Sequence, residues 1–234
     1  MAPRIGVVVF PGSNCEHDVV QGVEAAGGNG VLLWHGDASL GAVDAVVLPG
    51  GFAHGDYLRP GALARFSPVM AAVASYAAEG GPVVGICNGF QVLTEAGLLP
   101  GALQKNRGLR FLCTTVDLTV CTTRTVLTGG CAPGQVLTLP INHFEGNFTC
   151  DAATLERLQA EDRIVLRYRA NPNGSIDDIA GVCNAQGNVV GLMPHPERAC
   201  DAMTASTDGM VLLDSLVRAA THRVGVAPLA ATSS

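Results

Sequence analysis

Of the eight cysteines in this sequence, Cys87 stands in a setting suited to nucleophilic chemistry. It occupies Gly85-Ile86-Cys87-Asn88-Gly89, between an apolar run that reads as a strand and a stretch that reads as a helix. A sharp strand-to-helix turn of this form is a nucleophile elbow, here with cysteine in place of serine. Flanking glycines keep so cramped a turn free of Cβ clashes. The sulfur is then set at a helix N-terminus, where the dipole favours negative charge. A buried cysteine between packing glycines would give the same five residues, so the elbow needs partners before it means chemistry.

A cysteine hydrolase requires a histidine to shuttle protons and a third group to orient it. Pro194-His195-Pro196-Glu197 supplies both, two positions apart, directly after the apolar run 189–193. The proline between them stiffens the segment. Acyl transfer also needs donors aimed at a developing oxyanion. Pro49-Gly50-Gly51-Phe52 follows another strand-like run, so Gly51 offers one backbone N–H and Asn88 the other. All three segments follow strands, and open α/β sheets bind ligands at the carboxyl ends of their strands.

The remaining candidates carry less. His17, His35 and His222 read as ordinary core or surface residues, and His54 as a solvated loop side chain. His143 and Glu145, in Asn142-His143-Phe144-Glu145-Gly146, read as pocket or structural residues rather than metal ligands. No C-x-x-C pair occurs, so no metal site is expected, and the other cysteines read as buried, reduced, small hydrophobes. Pro11-Gly12-Ser13-Asn14 reads as a helix cap.

These residues need a sheet to position them. Apolar runs at 5–10, 31–34, 45–48 and 83–86 alternate with helical stretches from Ser13 or Asn14 to about 26, at 67–78 with Ser67 as cap and Pro68 first, and at 88–96. This alternation predicts an α/β fold with a mostly parallel, doubly wound sheet flanked by helices. The run 114–123 alternates apolar and polar residues, and with 136–141, 164–168, 179–183 and 189–193 it predicts a smaller antiparallel sheet portion. A last helix is expected over 208–220. The expected organisation is one domain over 1–222 with a loose tail over 223–234.

Composition agrees. The chain has 234 residues, 48% hydrophobic and only 15% charged, which suits a large buried core. Fourteen basic residues face twenty acidic ones, for a net charge of -6 with no basic cluster. Nucleic-acid binding through phosphate attraction is not expected. Neither a signal peptide nor a bilayer-spanning stretch is expected, so the expected location is the cytoplasm.

Gly85-Ile86-Cys87-Asn88-Gly89-Phe90-Gln91 together with Pro194-His195-Pro196-Glu197-Arg198 resembles the class I, triad-type glutamine amidotransferases. Phe10-Pro11-Gly12-Ser13-Asn14-Cys15, Gly55-Asp56-Tyr57-Leu58-Arg59 and Asn173-Gly174-Ser175 narrow the resemblance to the glutaminase subunits of phosphoribosylformylglycinamidine synthase. It runs from about Arg4 to about Leu216. The resemblance implies that Cys87 attacks the side-chain amide of glutamine, with His195 and Glu197 as partners and Gly51 and Asn88 as the oxyanion hole. It implies that Gly50, Gly51, Gln91 and His143 contact glutamine. It also implies partners: a PurL-type synthetase subunit that carries ATP and Mg, and a small PurS-type bridging subunit. No cofactor is expected in this chain, which has no Gly-x-x-x-x-Gly-Lys phosphate loop. Ala53-His54 and Phe144 depart from the more common Ser-Tyr and glycine, at the pocket rim and the loop over the site. Two rival readings are a different enzyme of this fold (a glutaminase feeding another synthetase, or a peptidase-like hydrolase) and a non-catalytic binding module.

Overall fold

The computed structural model describes residues 1–203 and 206–224. The chain opens with β1 (Arg4–Val9), α1 (Glu16–Ala25), β2 (Asn29–Trp34), β3 (Ala45–Leu48), α2 (Pro68–Ala78), β4 (Val83–Ile86) and α3 (Asn88–Glu95). It continues through β5 (Ala102–Gln104), β6 (Leu112–Val120), β7 (Val136–His143), β8 (Asn147–Thr149), α4 (Ala152–Ala160) and β9 (Ile164–Tyr168). Last come β10 (Ile179–Cys183), β11 (Val189–Leu192) and α5 (Gly209–Val224).

Nine strands form one sheet in the order β2-β1-β3-β4-β11-β10-β9-β6-β7. From β2 to β11 the neighbours are parallel, and from β11 to β7 they are antiparallel. All four residues of β3, β4 and β11 are buried, as expected of strands covered on both faces. Beyond the parallel half, β7 alternates buried and less buried positions. Strands β5 and β8 form a separate antiparallel pair.

Successive crossovers leave β1 in opposite directions, outward to β2 and inward through β3 to β4. Right-handed connections then put α1 on one face and α2 on the other. Helix α5 joins α1, while α3 lies on β3, β4 and β11. The order reverses between β1 and β3, and the loops leaving their carboxyl ends close together at that switch point. Asn14 N and Cys15 N donate to Gly50 O at 3.4 and 3.3 Å, and Phe52 N donates to Gly12 O at 2.8 Å.

That pairing corrects the expected start of α1. The cap is Cys15, without a side-chain cap bond, because Ser13 is taken up in a bridge to Gly51 and its Oγ accepts from Phe10 N at 3.1 Å. Ser67 does precede Pro68 at the start of α2, but its Oγ bonds His35 Nδ1 at 3.0 Å rather than a helix N–H. Three elements go beyond the sequence expectations. Strands β5 and β8 have three residues each, too few to show alternation. Helix α4 buries Leu158, so its apolar stripe is thin; its readable signal is Asp151, whose Oδ1 accepts from Thr154 N at 2.7 Å. Helix α5 runs to Val224, two residues into the expected tail, and the rest of that tail, 225–234, lies outside the described residues. Among the described residues no helix is long and apolar enough to cross a membrane.

Candidate active site

Strand β4 runs into the elbow as its sequence requires. Cys87 takes φ 51° and ψ −105°, a conformation that costs a non-glycine residue energy and persists only where the surroundings impose it. The surroundings do so from both sides. Cys87 N donates to Leu192 O at 2.8 Å and Gln91 N donates to Cys87 O at 3.2 Å. Gly89 lets α3 press onto β3, since a Cβ there would meet Leu48 O at 1.9 Å. The thiol sulfur faces Asn142 O at 3.7 Å.

His195 leaves the end of β11 and is pinned to β7 by its N–H, which donates to Pro140 O at 2.9 Å. Its ring lies over Gly50, where a Cβ would stand 2.7 Å from Cε1. Nδ1 donates to Glu197 Oε1 at 2.6 Å, and both side chains are buried. With Nδ1–H committed to a carboxylate, Nε2 is left as the base. Nε2 is buried without a conventional partner, and the Cys87 sulfur lies close enough to raise the ring's proton affinity. Burial opposes the imidazolium, but the Glu197 carboxylate and then Cys87 outweigh it, holding His195 well above the usual histidine range. The structure thus brings Cys87, His195 and Glu197 together.

Gly51 adopts φ 141°, and a Cβ there would lie 2.8 Å from Asn14 N. The Gly50 carbonyl points at the start of α1. In a planar trans peptide the N–H of the next residue points the opposite way, so Gly51 N–H is directed away from that contact, and Gly51 is among the residues that line the cleft. Asn88 is the first residue of α3, where a backbone N–H has no intrahelical acceptor.

The cleft over Cys87 has a volume of about 330 Å³ and is lined by Gly51, Asp56, Gln91, His143 and Glu145 among others. Gln91 also ties its walls together. Its Oε1 accepts from Asn88 Nδ2 at 2.9 Å and its Nε2 donates to Glu145 O at 2.5 Å. Asn88 Oδ1 accepts from Ala53 N at 2.9 Å. His143 is held from behind. Asn106 spends its Nδ2 on Arg110 O and His143 O, so its Oδ1 accepts from His143 Nδ1 at 3.1 Å. Burial, with His195 adding to it, pushes His143 down to about 4, so its ring is neutral. His54 is half-buried rather than solvated, edge-on to His35 at 5.2 Å between ring centroids, because its loop folds back on the segment after β1, where His54 N donates to Pro11 O. Phe144 lines the cleft with the Lys105 ammonium 6.0 Å from its ring centroid.

Two residues behind the histidine escaped sequence reasoning. Cys15 Sγ, His195 and Glu197 present ligand atoms within 4.8 Å of one another. Arg198 Nη2 sits 3.1 Å from Cys15 Sγ and its Nε donates to Asp18 Oδ2 at 3.0 Å. A guanidinium on that sulfur opposes a cation there, and the cluster reads as support for the imidazole. The available signal was position: Cys15 ends the loop after β1, at the switch point.

Residues 2–210 match the family model of the CobB/CobQ-like glutamine amidotransferase domain. The chain is 60% identical over 217 residues to phosphoribosylformylglycinamidine synthase subunit PurQ of Rubrobacter xylanophilus, covering 93% of this chain and 99% of that protein. It is 56% identical to the subunit of the same name from Parasynechococcus marenigrum, covering 91% and 99%. A chain in the solved structure of PurLQS from Thermotoga maritima superposes with a TM-score of 0.86 at 41% identity, covering 93% of this chain and 99% of that one. The chain therefore belongs to the glutamine amidotransferases, in the family of PurQ subunits of phosphoribosylformylglycinamidine synthase.

Proposed function

We propose that this chain is the glutaminase subunit of a phosphoribosylformylglycinamidine synthase and that Cys87, His195 and Glu197 carry its chemistry. The observation behind the proposal is the buried His195–Glu197 pair, 2.6 Å between Nδ1 and Oε1, set against the elbow cysteine. His195 takes the thiol proton, and the sulfur attacks the carboxamide carbon of glutamine. The C=O π electrons move to oxygen, where the N–H groups of Gly51 and Asn88 receive the charge. The imidazolium gives its proton to the nitrogen, the C–N bond breaks, and ammonia leaves a γ-glutamyl thioester. Water, deprotonated by His195, adds to the thioester; the C–S bond breaks, the imidazolium returns its proton to the sulfur, and glutamate departs. Gly50, Gly51, Gln91 and His143 frame the bound side chain.

Ammonia then passes to a PurL-type synthetase subunit, which uses ATP and Mg to convert formylglycinamide ribonucleotide to its amidine. A small PurS-type subunit bridges the two, and the complex works in the cytoplasm. Family membership and the match to a chain of PurLQS support this partnership.

The test is mass spectrometry after exposure to a glutamine-like electrophile, with and without the synthetase. Covalent mass is expected on the Cys87 peptide, with faster labelling when the synthetase aligns the oxyanion donors. Cys87→Ala is expected to abolish glutamine-dependent turnover while partner binding persists. Undiminished glutamine use by that variant would refute the mechanism. Ammonia transfer only to some other acceptor would refute the assignment to this synthetase.

A further inference from the structure

Outside the substrate cleft, a second hollow of about 350 Å³ lies between α1 and the segment after β11. Asp18, Gln21 and Gly22 line it from α1, and Glu197, Arg198 and Cys200 line it from the facing segment. Gly22 lets the helix close down here, since a Cβ there would stand 2.6 Å from Leu213 Cδ1 and 3.7 Å from Glu197 Cα. The residue that orients His195 therefore has a wall away from the substrate, and the cation on that wall is Arg198.

Arg198 is held at three points. Its backbone N–H donates to His195 O at 3.2 Å, closing the turn that carries both residues. Its Nε donates to Asp18 Oδ2 at 3.0 Å, and its Nη2 donates to Cys15 Sγ at 3.1 Å. The Cys15 thiol donates in turn to Asn14 Oδ1 at 3.2 Å. That sulfur lies against the imidazole. A Cβ on Gly50 would meet Cys15 Sγ at 3.1 Å and His195 Cε1 at 2.7 Å, and Sγ is within 4.8 Å of a His195 ring nitrogen. Burial opposes the Arg198 charge, but Cys15, Asp18 and Glu197 outweigh it, so the guanidinium stays charged.

The groups that face the imidazole itself are Glu197, Cys87, Cys15 and His143. Glu197 and then Cys87 favour the imidazolium, while His143 is neutral near pH 7. A ring held too firmly in its charged form gives its proton up poorly to the leaving nitrogen and serves poorly as base toward water. A fixed cation one sulfur atom away works in the other direction. Resting on the glutaminase reading of this site, we infer that Arg198 is a positioning residue for His195: it seats the Cys15 sulfur against the imidazole, and its cation opposes the imidazolium across that sulfur. Asp18 fixes the guanidinium and partly offsets its charge. Of the other ionisable groups along the hollow, Cys200 donates to Pro196 O at 3.0 Å and Asp201 is exposed.

The test is the pH–rate profile of glutamine hydrolysis in the complex with the synthetase. Arg198→Met removes the cation and keeps much of the bulk. It is expected to move the His195 titration toward higher pH, opposite to the effect of losing the Glu197 charge, and to lower kcat at neutral pH about 10-fold. Arg198→Lys keeps the charge but lacks the fork that reaches Asp18 and Cys15 together. Its titration is expected to stay near that of the parent while kcat still falls. Asp18→Asn, at a partly exposed position, still accepts from Nε and leaves the cation less offset. Its titration is expected to move toward lower pH, and it supplies the measurement where Arg198→Met does not fold. Lower kcat with an unmoved titration in Arg198→Met and Asp18→Asn would overturn the inference, by giving the ion pair a structural role alone. A shift in Arg198→Lys equal to that in Arg198→Met would overturn it too, and either result leaves the glutaminase reading standing. Failure of the parent complex to hydrolyse glutamine at all would overturn that reading, and this inference with it.

Discussion

A histidine that must both take and give a proton needs a fixed tautomer and a charge partner that water cannot replace. Glu197 meets both needs for His195: it is buried, it accepts from Nδ1, and its charge offsets the cost of burying an imidazolium. Glu197→Gln keeps the volume and removes the charge. It is expected to lower kcat on the order of 10²–10⁴-fold and to move the His195 titration in the pH–rate profile toward lower pH. An unchanged profile would detach the carboxylate from the histidine's role. At this scale the sequence was informative where chemistry is compact. Cys87 sits in its own turn, and His195 and Glu197 are two residues apart, so each motif is readable without the fold. Cys15 and Arg198 were not readable in the same way. They meet across 183 positions, through the packing of the β1–α1 loop against the segment after β11. The pairing of Asp56 with Asn88 is equally a product of the fold.

The elements that carry these residues were legible in proportion to their burial. Strands β3 and β4 fall at the expected residues because a doubly covered strand leaves an unbroken apolar run. Helix α4 and the β5–β8 pair left little trace, since neither buries a long stripe. The start of α1 was misplaced by a tertiary contact, the bridge of Ser13 to Gly51, which local cap preference does not register. The tightest element contact makes a prediction. Gly89 brings α3 so close to β3 that a methyl group would meet backbone rather than a movable side chain. Gly89→Ala is expected to cost about 3 kcal/mol or more in urea denaturation and to lower glutaminase activity, because Cys87 N and O are bonded on either side of that contact. Gly97→Ala is the control for added bulk. A Cβ at Gly97 meets nothing within 4 Å, so its cost comes from positive φ alone and is expected near 1 kcal/mol.

At the scale of the whole molecule, the titratable groups of the site contribute to how stability varies with pH. His143 is held at about 4, below its unfolded value of 6.5. Between those values the unfolded chain binds the proton that the folded one refuses, so folding weakens as pH falls through the window, by up to about 3 kcal/mol. Asp56 works against this. Its folded value near 6 exceeds the unfolded 3.8, so the folded state gains from protonation over much of the same range, though solvent screens a half-buried group. His195 acts on the other limb. Held well above 6.5, it stabilises fully below that value, and its contribution is lost as pH rises through the folded value. Of the three, His143 weakens folding toward acid, while Asp56 and His195 weaken it as pH rises. The sharpest check is His143→Gln, whose amide still donates to Asn106 Oδ1 and does not titrate. Urea midpoints between pH 4.5 and 7 are expected to fall less steeply toward acid in this variant than in the parent. A parallel pair of curves would mean that His143 protonates freely in the folded protein. That outcome would also contradict the packing around it, where the ring is closed in by Gly146 on one side and tied to Asn106 at Nδ1.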